Sequence, residues 1–348
     1  TREGERFPPD PRGLQFLHVE PPDTGAAQAI ADGVWWLRIP LPMELNHINV
    51  WLLEDGDGWL LVDTGMAEDV CREAWLHLEE RVLAGRPLRR VFVTHDHPDH
   101  MGLAPWLVER HGAAIWMSEH AHRSSGEFLR TAPEALADRI RGFLHLHGVD
   151  TPPGASPARG DHRSWYGGWP PLASAPADGD RIVAGGGNWS VIETGGHCRG
   201  HLCLFDAERR LLVSGDQVLP TISPNVSVLS SAPDADPLRE FLASIARLRS
   251  CATDTLVLPS HGRPFRGLHA RLDELQAHHQ QQLDALRAFC VEPRTAFEVL
   301  PSMFRRVPRG FHRLLAVGEA VAHLNYLCSS GALERQVDAA GVARFATR

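Results

Sequence analysis

Histidine and aspartate are concentrated in one short segment of this 348-residue chain, VFVTHDHPDHMG. His95 and His97 alternate in it and would point the same way from an extended backbone, while Asp99 and His100 follow and turn towards a second position. Imidazoles and carboxylates suit zinc, manganese or iron, and the segment has no cysteine that would select a softer metal. This density of ligands directly after an apolar run indicates a metal centre rather than a solvated loop.

Further residues of the same chemical types stand where other apolar runs end. Asp63 closes LLVD, Asp216 closes LLVSGD and His261 closes TLVLPSH, while His197 and His201 follow the run SVIE. The ends of strands are where α/β architectures carry their active-site loops. We therefore expect these side chains to converge on one centre.

The elements that must position these residues alternate between strands and helices. Short β-branched and aromatic runs around a Gly-containing turn predict a strand meander from Val34 onward. Apolar spacing predicts helices at 68–83, 103–111, 133–146 and 236–249, with the strands RRVFVT, AAIWMS, WSVIETGG, HLCLFD, RLLVSGD and TLVLPSHG between them. The sequence thus predicts an α/β fold.

An insert is predicted at about 118–185, and its second half is rich in proline and glycine without clear periodicity. Such a segment is typical of a functional excursion or a mobile cover. Trp165, Tyr166 and Trp169 in it either line a substrate pocket or pack locally. Asn225, in the loop after the aspartate of LLVSGD, either faces substrate or belongs to an ordinary turn.

The chain changes character after residue 265. A long amphipathic helix, two further helices at about 295–305 and 313–329, and two short alternating runs around a DAAG turn predict a small helical, winged-helix-like domain. We place the domains at 1–265 and 266–348. Arginines outnumber acidic residues in the tail, and the adjacent His278 and His279 are predicted to lie on a solvated helix face.

Composition excludes several kinds of chemistry. The chain has no lysine, so a phosphate-binding loop and Schiff-base catalysis are excluded, and no GxSxG motif supports a serine hydrolase. A net charge of -8 disfavours a nucleic-acid-binding surface. Six scattered cysteines without a CxxC pair, a polar N-terminus and the lack of a 20-residue apolar run predict a soluble cytoplasmic protein without a membrane span.

The H-x-H-x-D-H motif, together with Asp63 before it and His197, Asp216 and His261 after it, strongly resembles the metallo-β-lactamase superfamily over about residues 30–265. The resemblance implies a four-layered αββα sandwich with a dinuclear site, followed here by the winged-helix-like tail. It also implies roles for individual residues. One metal would be held by His95, His97 and His197, the other by Asp99, His100 and His261, with Asp216 bridging both and with Asp63 and His201 bracing the ligand loops.

The same resemblance implies a hydrolase with two divalent ions, zinc or else manganese or iron, and a bridging hydroxide that attacks an acyl carbonyl. Asp99 would also relay a proton to the leaving group. True β-lactamases of the superfamily tend to have Cys or Ser where this chain has Asp216, so the match favours the glyoxalase II and thioesterase branch.

We therefore predict a small-molecule acyl substrate, a thioester of the CoA, acyl carrier protein or glutathione type. The alternatives are an endoribonuclease of the superfamily, a lactonase or β-lactamase, and a mononuclear iron dioxygenase. Nucleic acid is a disfavoured partner, and the sequence leaves oligomerisation open.

Overall fold

The computed structural model describes residues 10–151 and 162–348, so parts of the predicted catalytic domain (1–9) and of the predicted insert (152–161) lie outside the described residues. Two seven-stranded mixed sheets pack face to face. Strands are numbered along the chain. The first sheet contains, in spatial order, β2 (Ala27–Ala31), β3 (Val34–Pro40), β4 (His47–Asp55), β5 (Gly58–Val62), β6 (Leu88–Phe92), β7 (Ala114–Trp116) and β8 (Leu172–Ser174).

The first sheet is antiparallel from β2 to β5 and parallel from β5 to β8. In the second sheet only β12 and β13 run parallel. Its strands, in spatial order, are β1 (Gln15–Phe16), β14 (Phe265–Arg266), β13 (Leu256–Pro259), β12 (Leu211–Gly215), β11 (His201–Asp206), β10 (Gly187–Thr194) and β9 (Arg181–Ala184). Strands β10 and β11 stay paired as far as Thr194 and His201, which lie opposite each other. The loop between the strands begins directly after this last pair.

Helices cover the outer faces of both sheets. They are α1 (Asp69–Leu78), which continues as a π-helical turn (Glu79–Leu83), α2 (Pro98–Met101), α3 (Ala104–His111), α4 (Glu119–Arg130), α5 (Pro133–Leu146), a 3-10 turn (His162–Trp165), α6 (Pro237–Leu248), α7 (Leu268–Phe289), α8 (Leu300–Met303) and α9 (Phe311–Ser329). A hairpin of β15 (Leu333–Val337) and β16 (Ala343–Thr347) follows.

Three buried clusters fill the spaces between these layers. Trp36 and Trp51, stacked 6.2 Å apart, lie between the sheets, Trp75 of α1 packs under the first sheet, and Phe241 of α6 packs on the second. Burial of large aromatic side chains in each cluster stabilises the layered arrangement. The predicted four-layered αββα fold is confirmed.

One buried asparagine ties the two sheets together beside the candidate site. The amide of Asn49, on β4, donates to the carbonyl of Pro259 at 2.8 Å, and its oxygen accepts from the Trp36 indole at 2.8 Å. The Asn49 backbone N–H also donates to Ser260. Because Ser260 precedes His261, this bridge fixes the end of β13 against the first sheet.

The structure differs from the sequence-based prediction at two helices. Helix α4 was not expected; Ser118 starts it, because its hydroxyl accepts from the Ala121 N–H. The helix predicted at 295–305 is only the four-residue α8, since Pro301 is tolerated only in a first helical turn and the backbone at Phe304 is extended.

The C-terminal unit consists of α7, α8, α9 and the hairpin, in the predicted order. Its core is continuous with the rest of the molecule: Leu272 and Val317 belong to the same buried cluster as Phe143 of α5 and Val257 of β13. The boundary between 265 and 266 therefore stays a prediction. None of the helices in the described part of the chain combines the length and hydrophobicity that a membrane crossing requires.

The expectation of a solvated His278–His279 pair is wrong for His279. Its side chain is fully buried, and its Nδ1 lies 3.1 Å from Nε2 of His323 on α9. The ring also packs edge-on against Phe241. The face of α7 that carries His279 is thus a packing surface between helices.

Candidate metal centre

Seven histidine and aspartate side chains from four loops converge at one end of the sandwich. They form two groups whose ligand atoms lie within 4.8 Å of one another: His95, His97, His197 and Asp216 in the first cluster, and Asp99, His100 and His261 in the second cluster. The loop after β6 supplies ligands to both clusters. The loops after β10, β12 and β13 of the opposite sheet supply the others.

Local structure explains how one loop serves both clusters. His97 has an extended backbone conformation, and helix α2 starts directly after it with Pro98 in its first turn. The turn of α2 carries Asp99 and His100 into the second cluster, although the His100 ring stays close to that of His95, with 3.9 Å between the ring centroids. Backbone N–H groups of Thr64 and Gly65 hold the carbonyls of His100 and Asp99 in place.

The first cluster brings three imidazole nitrogens together. His95 Nε2 lies 2.9 Å from His97 Nδ1, and His197 Nε2 lies 3.2 and 3.1 Å from these two atoms. His197 Nδ1 donates to the carbonyl of Asn225, so its Nε2 carries a lone pair. The Thr94 hydroxyl donates to Asp63 and can accept from His95 Nδ1, which leaves a lone pair on His95 Nε2 as well.

Two nitrogen lone pairs that face each other at 3.2 Å repel unless a cation lies between them. Burial and the neighbouring His97 lower the pKa of His197 to about 4, so the neutral ligand form prevails at neutral pH. Burial and the nearby imidazoles likewise hold the pKa of His95 well below its usual value. The first cluster therefore suits a metal ion.

The second cluster leaves buried ligand atoms without a hydrogen-bond partner. They are His100 Nε2, His261 Nε2 and Asp216 Oδ1. His261 Nε2 lies 3.3 Å from Asp99 Oδ2 and 3.5 Å from Asp216 Oδ1, and His100 Nε2 lies 3.5 Å from both oxygens. A tetrahedral ion with bonds of about 2.0–2.2 Å separates its ligands by about 3.3–3.6 Å, which matches this arrangement.

Asp216 faces both clusters. Its Oδ1 lies 3.5 Å from His100 Nε2 and from His261 Nε2 of the second cluster, whereas its Oδ2 lies 3.5 Å from His197 Nε2 of the first. Burial opposes ionisation of Asp99 and Asp216, but the neighbouring imidazoles of His100 and His261 outweigh it and hold the pKa of both carboxyl groups below the usual value. Both carboxylates are therefore ionised, and negative charge is available to compensate for cations.

The predicted bracing residues contact ligands directly. Asp63 adopts a left-handed backbone conformation, with φ of 63°, and its Oδ2 accepts from His100 Nδ1 at 2.7 Å. Its Oδ1 accepts from the Thr94 N–H at 2.8 Å. His201 Nε2 accepts from the backbone N–H of Asp216 at 3.2 Å, and its Nδ1 meets the Thr194 hydroxyl at 2.9 Å.

Three bracing groups were not found by sequence reasoning. The carbonyl of His47 accepts from His261 Nδ1 at 2.8 Å, the Thr94 hydroxyl contacts His95 and Asp63, and the carbonyl of Asn225 accepts from His197. Two of the three are backbone carbonyls, which every residue has. Only Thr94, which immediately precedes the H-x-H-x-D-H motif, carries a side-chain signal.

The aromatic residues predicted to meet substrate contact other groups within the protein. The Tyr166 hydroxyl donates to the carbonyl of Asp96, inside the ligand loop, at 2.9 Å. Trp165 packs against the core under the first sheet and against the ring of His162. Trp169 is 43% exposed and stacks on His122. Substrate contact by Trp165, Tyr166 and Asn225 stays a prediction.

Comparison with known proteins agrees with this geometry. Residues 43–261 match the family described as the metallo-beta-lactamase superfamily. The chain belongs to the metallo-β-lactamase superfamily. Residues 283–348 match a second family, the metallo-beta-lactamase-like C-terminal domain. The protein is accordingly a metal-dependent hydrolase.

Three proteins illustrate what this chain is similar to. A β-lactamase domain protein from Burkholderia ambifaria has 37% sequence identity and a TM-score of 0.89, with 96% of this chain and 98% of that chain covered. The protein named "Probable metallo-hydrolase YqjP" from Bacillus subtilis is 26% identical over 84% of this chain and 91% of its own length. "Acyl-coenzyme A thioesterase MBLAC2" from Gallus gallus is 28% identical over 69% of this chain and 81% of its own length.

Proposed function

We propose that this superfamily member is a dinuclear zinc hydrolase that cleaves thioesters of the acyl-CoA or carrier-linked type. The position of Asp216 carries the proposal. One carboxylate with an oxygen directed at each of two ligand clusters has the arrangement of a bridge between two ions. A structural zinc site would instead be closed, with four ligands on a single ion.

The ligand assignment follows the clusters. His95, His97 and His197 would hold one ion, Asp99, His100 and His261 the other, and Asp216 would bridge them. When bound, divalent ions lower the pKa of water to about 7 and polarise a carbonyl oxygen. Nitrogen and carboxylate ligands without cysteine suit zinc, with manganese and iron as the other candidates.

Asp99 would serve as the proton acceptor of the reaction. Its Oδ2 lies among the ligand atoms, 3.3 Å from His261 Nε2, and the second oxygen of the ionised carboxylate could take a proton from the attacking water. A thiolate, whose conjugate acid has a pKa of about 8.5, leaves with little protonation. Cleavage of a thioester therefore needs less proton transfer through Asp99 to the leaving group than cleavage of an amide would. A relative that carries the name of an acyl-CoA thioesterase also supports this substrate class.

The test is a substrate panel with zinc-loaded protein. We expect close to two zinc ions per chain and turnover of acyl-CoA or acyl carrier protein, with little turnover of lactones, β-lactams or single-stranded RNA. Hydrolysis of one of the latter substrates without thioester turnover would overturn the substrate class. One equivalent of iron per chain would overturn the dinuclear centre.

Ligand variants extend this test to individual residues. His97→Ala and Asp216→Ala are each expected to abolish turnover and to lower the zinc content, because each removes a donor from a cluster. The exposed His77 on α1 provides a control, since His77→Ala removes an imidazole that belongs to neither cluster. A ligand variant that kept wild-type zinc content and rate would show that its residue is wrongly assigned.

A further inference from the structure

The orientation of His197 depends on a residue from another loop. His197 lies between β10 and β11, but its Nδ1 donates at 2.9 Å to the carbonyl of Asn225, which follows β12. This hydrogen bond directs His197 Nε2 towards His95 and His97. A displacement of the Asn225 backbone would therefore turn a ligand of the first cluster.

The Asn225 side chain is held by helix α9 of the C-terminal unit. Its Nδ2 donates to Glu319 Oε2 at 3.4 Å, and its Oδ1 accepts from the Ser227 hydroxyl at 2.7 Å. The Ser227 hydroxyl also lies 3.0 Å from the carbonyl of Leu315. Glu319 and Leu315 are one helical turn apart, so both contacts come from the same face of α9.

The backbone of this loop also lies directly on α9. The Val228 N–H donates to the carbonyl of Gly318 at 3.0 Å. A Cβ atom at Gly318 would lie 2.8 Å from the Val228 carbonyl oxygen and 3.0 Å from Ser227 Cβ. Glycine inside a helix costs about 1 kcal/mol relative to alanine, so its presence here has a packing reason: it allows the loop to approach.

Helix α9 is itself held against α7 within one helical turn of Glu319. His323 Nδ1 donates to the backbone carbonyl of Glu319, and His323 Nε2 meets His279 Nδ1 of α7. Burial raises the pKa of Glu319 to about 7. Glu319 is only partly exposed, and the hydrogen bond from Asn225 offsets part of the free-energy cost of removing its carboxyl group from water.

We propose that Glu319 is a positioning residue of the metal centre: through the Asn225 side chain it holds the carbonyl that orients His197. The C-terminal unit thereby sets the geometry of the first cluster without supplying a ligand. The proposal rests on the proposed metal-dependent function, because it concerns the same ligands. It assigns the tail a task in metal binding that is separate from any contact with substrate.

The test is zinc affinity, measured by chelator competition in the absence of substrate. Glu319→Leu removes the acceptor of the Asn225 amide and is expected to lower zinc affinity about 10–100-fold, as loss of an outer bracing contact does in other metal sites. The variant should leave unfolding of the metal-free protein nearly unchanged, because leucine fills a similar buried volume. Glu319→Gln retains an acceptor oxygen and should restore affinity to within a few-fold of wild type.

Two further variants make the test specific. Asn225→Ala should weaken zinc binding to the same degree, and Glu319→Leu in that background should add no further loss, because both residues act through one contact. The exposed Glu292 is the control, and Glu292→Leu should bind zinc as wild type does.

The outcomes separate the two proposals. Wild-type affinity in Glu319→Leu, or equal loss in Glu319→Gln and Glu319→Leu, would overturn the positioning role. The positioning role would also be overturned if the metal-free Glu319→Leu protein lost at least as much free energy of unfolding as the variant loses in free energy of zinc binding. A wild-type protein that binds no zinc would instead overturn the proposed function, whereas failure to hydrolyse thioesters would leave the positioning result intact.

Discussion

The chemistry of three ligand histidines is set by the oxygen to which Nδ1 donates a hydrogen bond. Nδ1 of His100 donates to Asp63, Nδ1 of His197 to the carbonyl of Asn225, and Nδ1 of His261 to the carbonyl of His47. Each of these hydrogen bonds fixes one tautomer and leaves Nε2 free for a metal. The bracing oxygens therefore determine whether a correctly placed imidazole is also a competent ligand.

Asp63→Asn tests this dependence at one residue. Asparagine tolerates the left-handed backbone of Asp63 as well as aspartate does, so the variant changes charge and hydrogen bonding rather than the loop. Its amide would present a donor to either the Thr94 N–H or His100 Nδ1, both of which are donors. We expect a loss of zinc affinity of about 10–100-fold in chelator competition.

The control for this prediction is Asp57→Asn. Asp57 is an exposed carboxylate that pairs with Arg89 on the surface, so its loss should leave zinc binding unchanged. An Asp63→Asn protein that binds zinc as tightly as wild type would show that His100 does not need a fixed tautomer.

The sequence identifies the ligands more readily than the groups that hydrogen-bond to them. His95, His97, Asp99 and His100 were predicted because four ligands after one apolar run have a distinctive spacing, and the structure brings them together. The carbonyls of His47 and Asn225 could not be predicted, because a backbone oxygen has no residue signature. Their role follows only from long-range contacts between loops.

At the level of elements, the ligand loops depend on close contacts with the helices behind them. Gly196, which precedes His197, has a φ of +95° and lies against α6. A Cβ atom at this position would collide with Phe241 Cβ and lie 2.5 Å from the Phe241 backbone. The β10–β11 loop can therefore take its position only because residue 196 has no side chain.

Gly196→Ala is expected to displace this loop. Overpacking against α6 should lower the free energy of unfolding by about 1–3 kcal/mol beyond the backbone cost and should weaken zinc binding by moving His197. Chemical denaturation and chelator competition measure the two effects. Gly179→Ala is the matched control, because Gly179 has a φ of +86° but open space around it.

The backbone cost alone, about 1–2 kcal/mol, is expected for Gly179→Ala, with unchanged zinc affinity. Equal destabilisation in the two variants would contradict the steric argument for Gly196. The Gly196 contact could not be predicted from sequence, because a glycine beside a histidine indicates a turn but not which helix lies behind it.

Across the whole molecule, the tail, the insert and the second sheet share one hydrophobic core. Phe143 of the insert, Leu272 and Val317 of the tail, and Phe241 of α6 all belong to it. The sequence predicted the separate elements from their periodicity, but it did not predict this continuity, because packing between distant segments leaves no local pattern. For the same reason the sequence does not show that the face of α7 carrying His279 is buried.

The buried His279–His323 pair predicts a loss of stability in acid. Burial, reinforced at His279 by the neighbouring histidines, lowers the pKa of His279 to about 3 and that of His323 to about 4, whereas both titrate near 6.5 when unfolded. Below pH 6.5 the unfolded chain binds more protons, so the stability present above that pH is progressively lost. The pair should contribute about 2–3 kcal/mol of destabilisation between pH 6 and pH 5.

Denaturation of the metal-free protein at several pH values tests this effect. Replacing both residues, His279→Phe with His323→Leu, should flatten the dependence of unfolding free energy on pH by about that amount, even if the variant is less stable overall. His77→Phe at an exposed position should leave the dependence unchanged. Parallel pH curves for wild type and the double variant would refute the assignment.

The division of the ligands between the two sheets has a consequence for assembly. His95 and His97 extend from one sheet and His197 and Asp216 from the other, and the second cluster is divided in the same way. Neither half of the sandwich holds a complete set of donors, so tight ion capture must come after the halves have docked. Substitutions that loosen the packing of Trp36 and Trp51 between the sheets should then reduce metal occupancy before they unfold the protein.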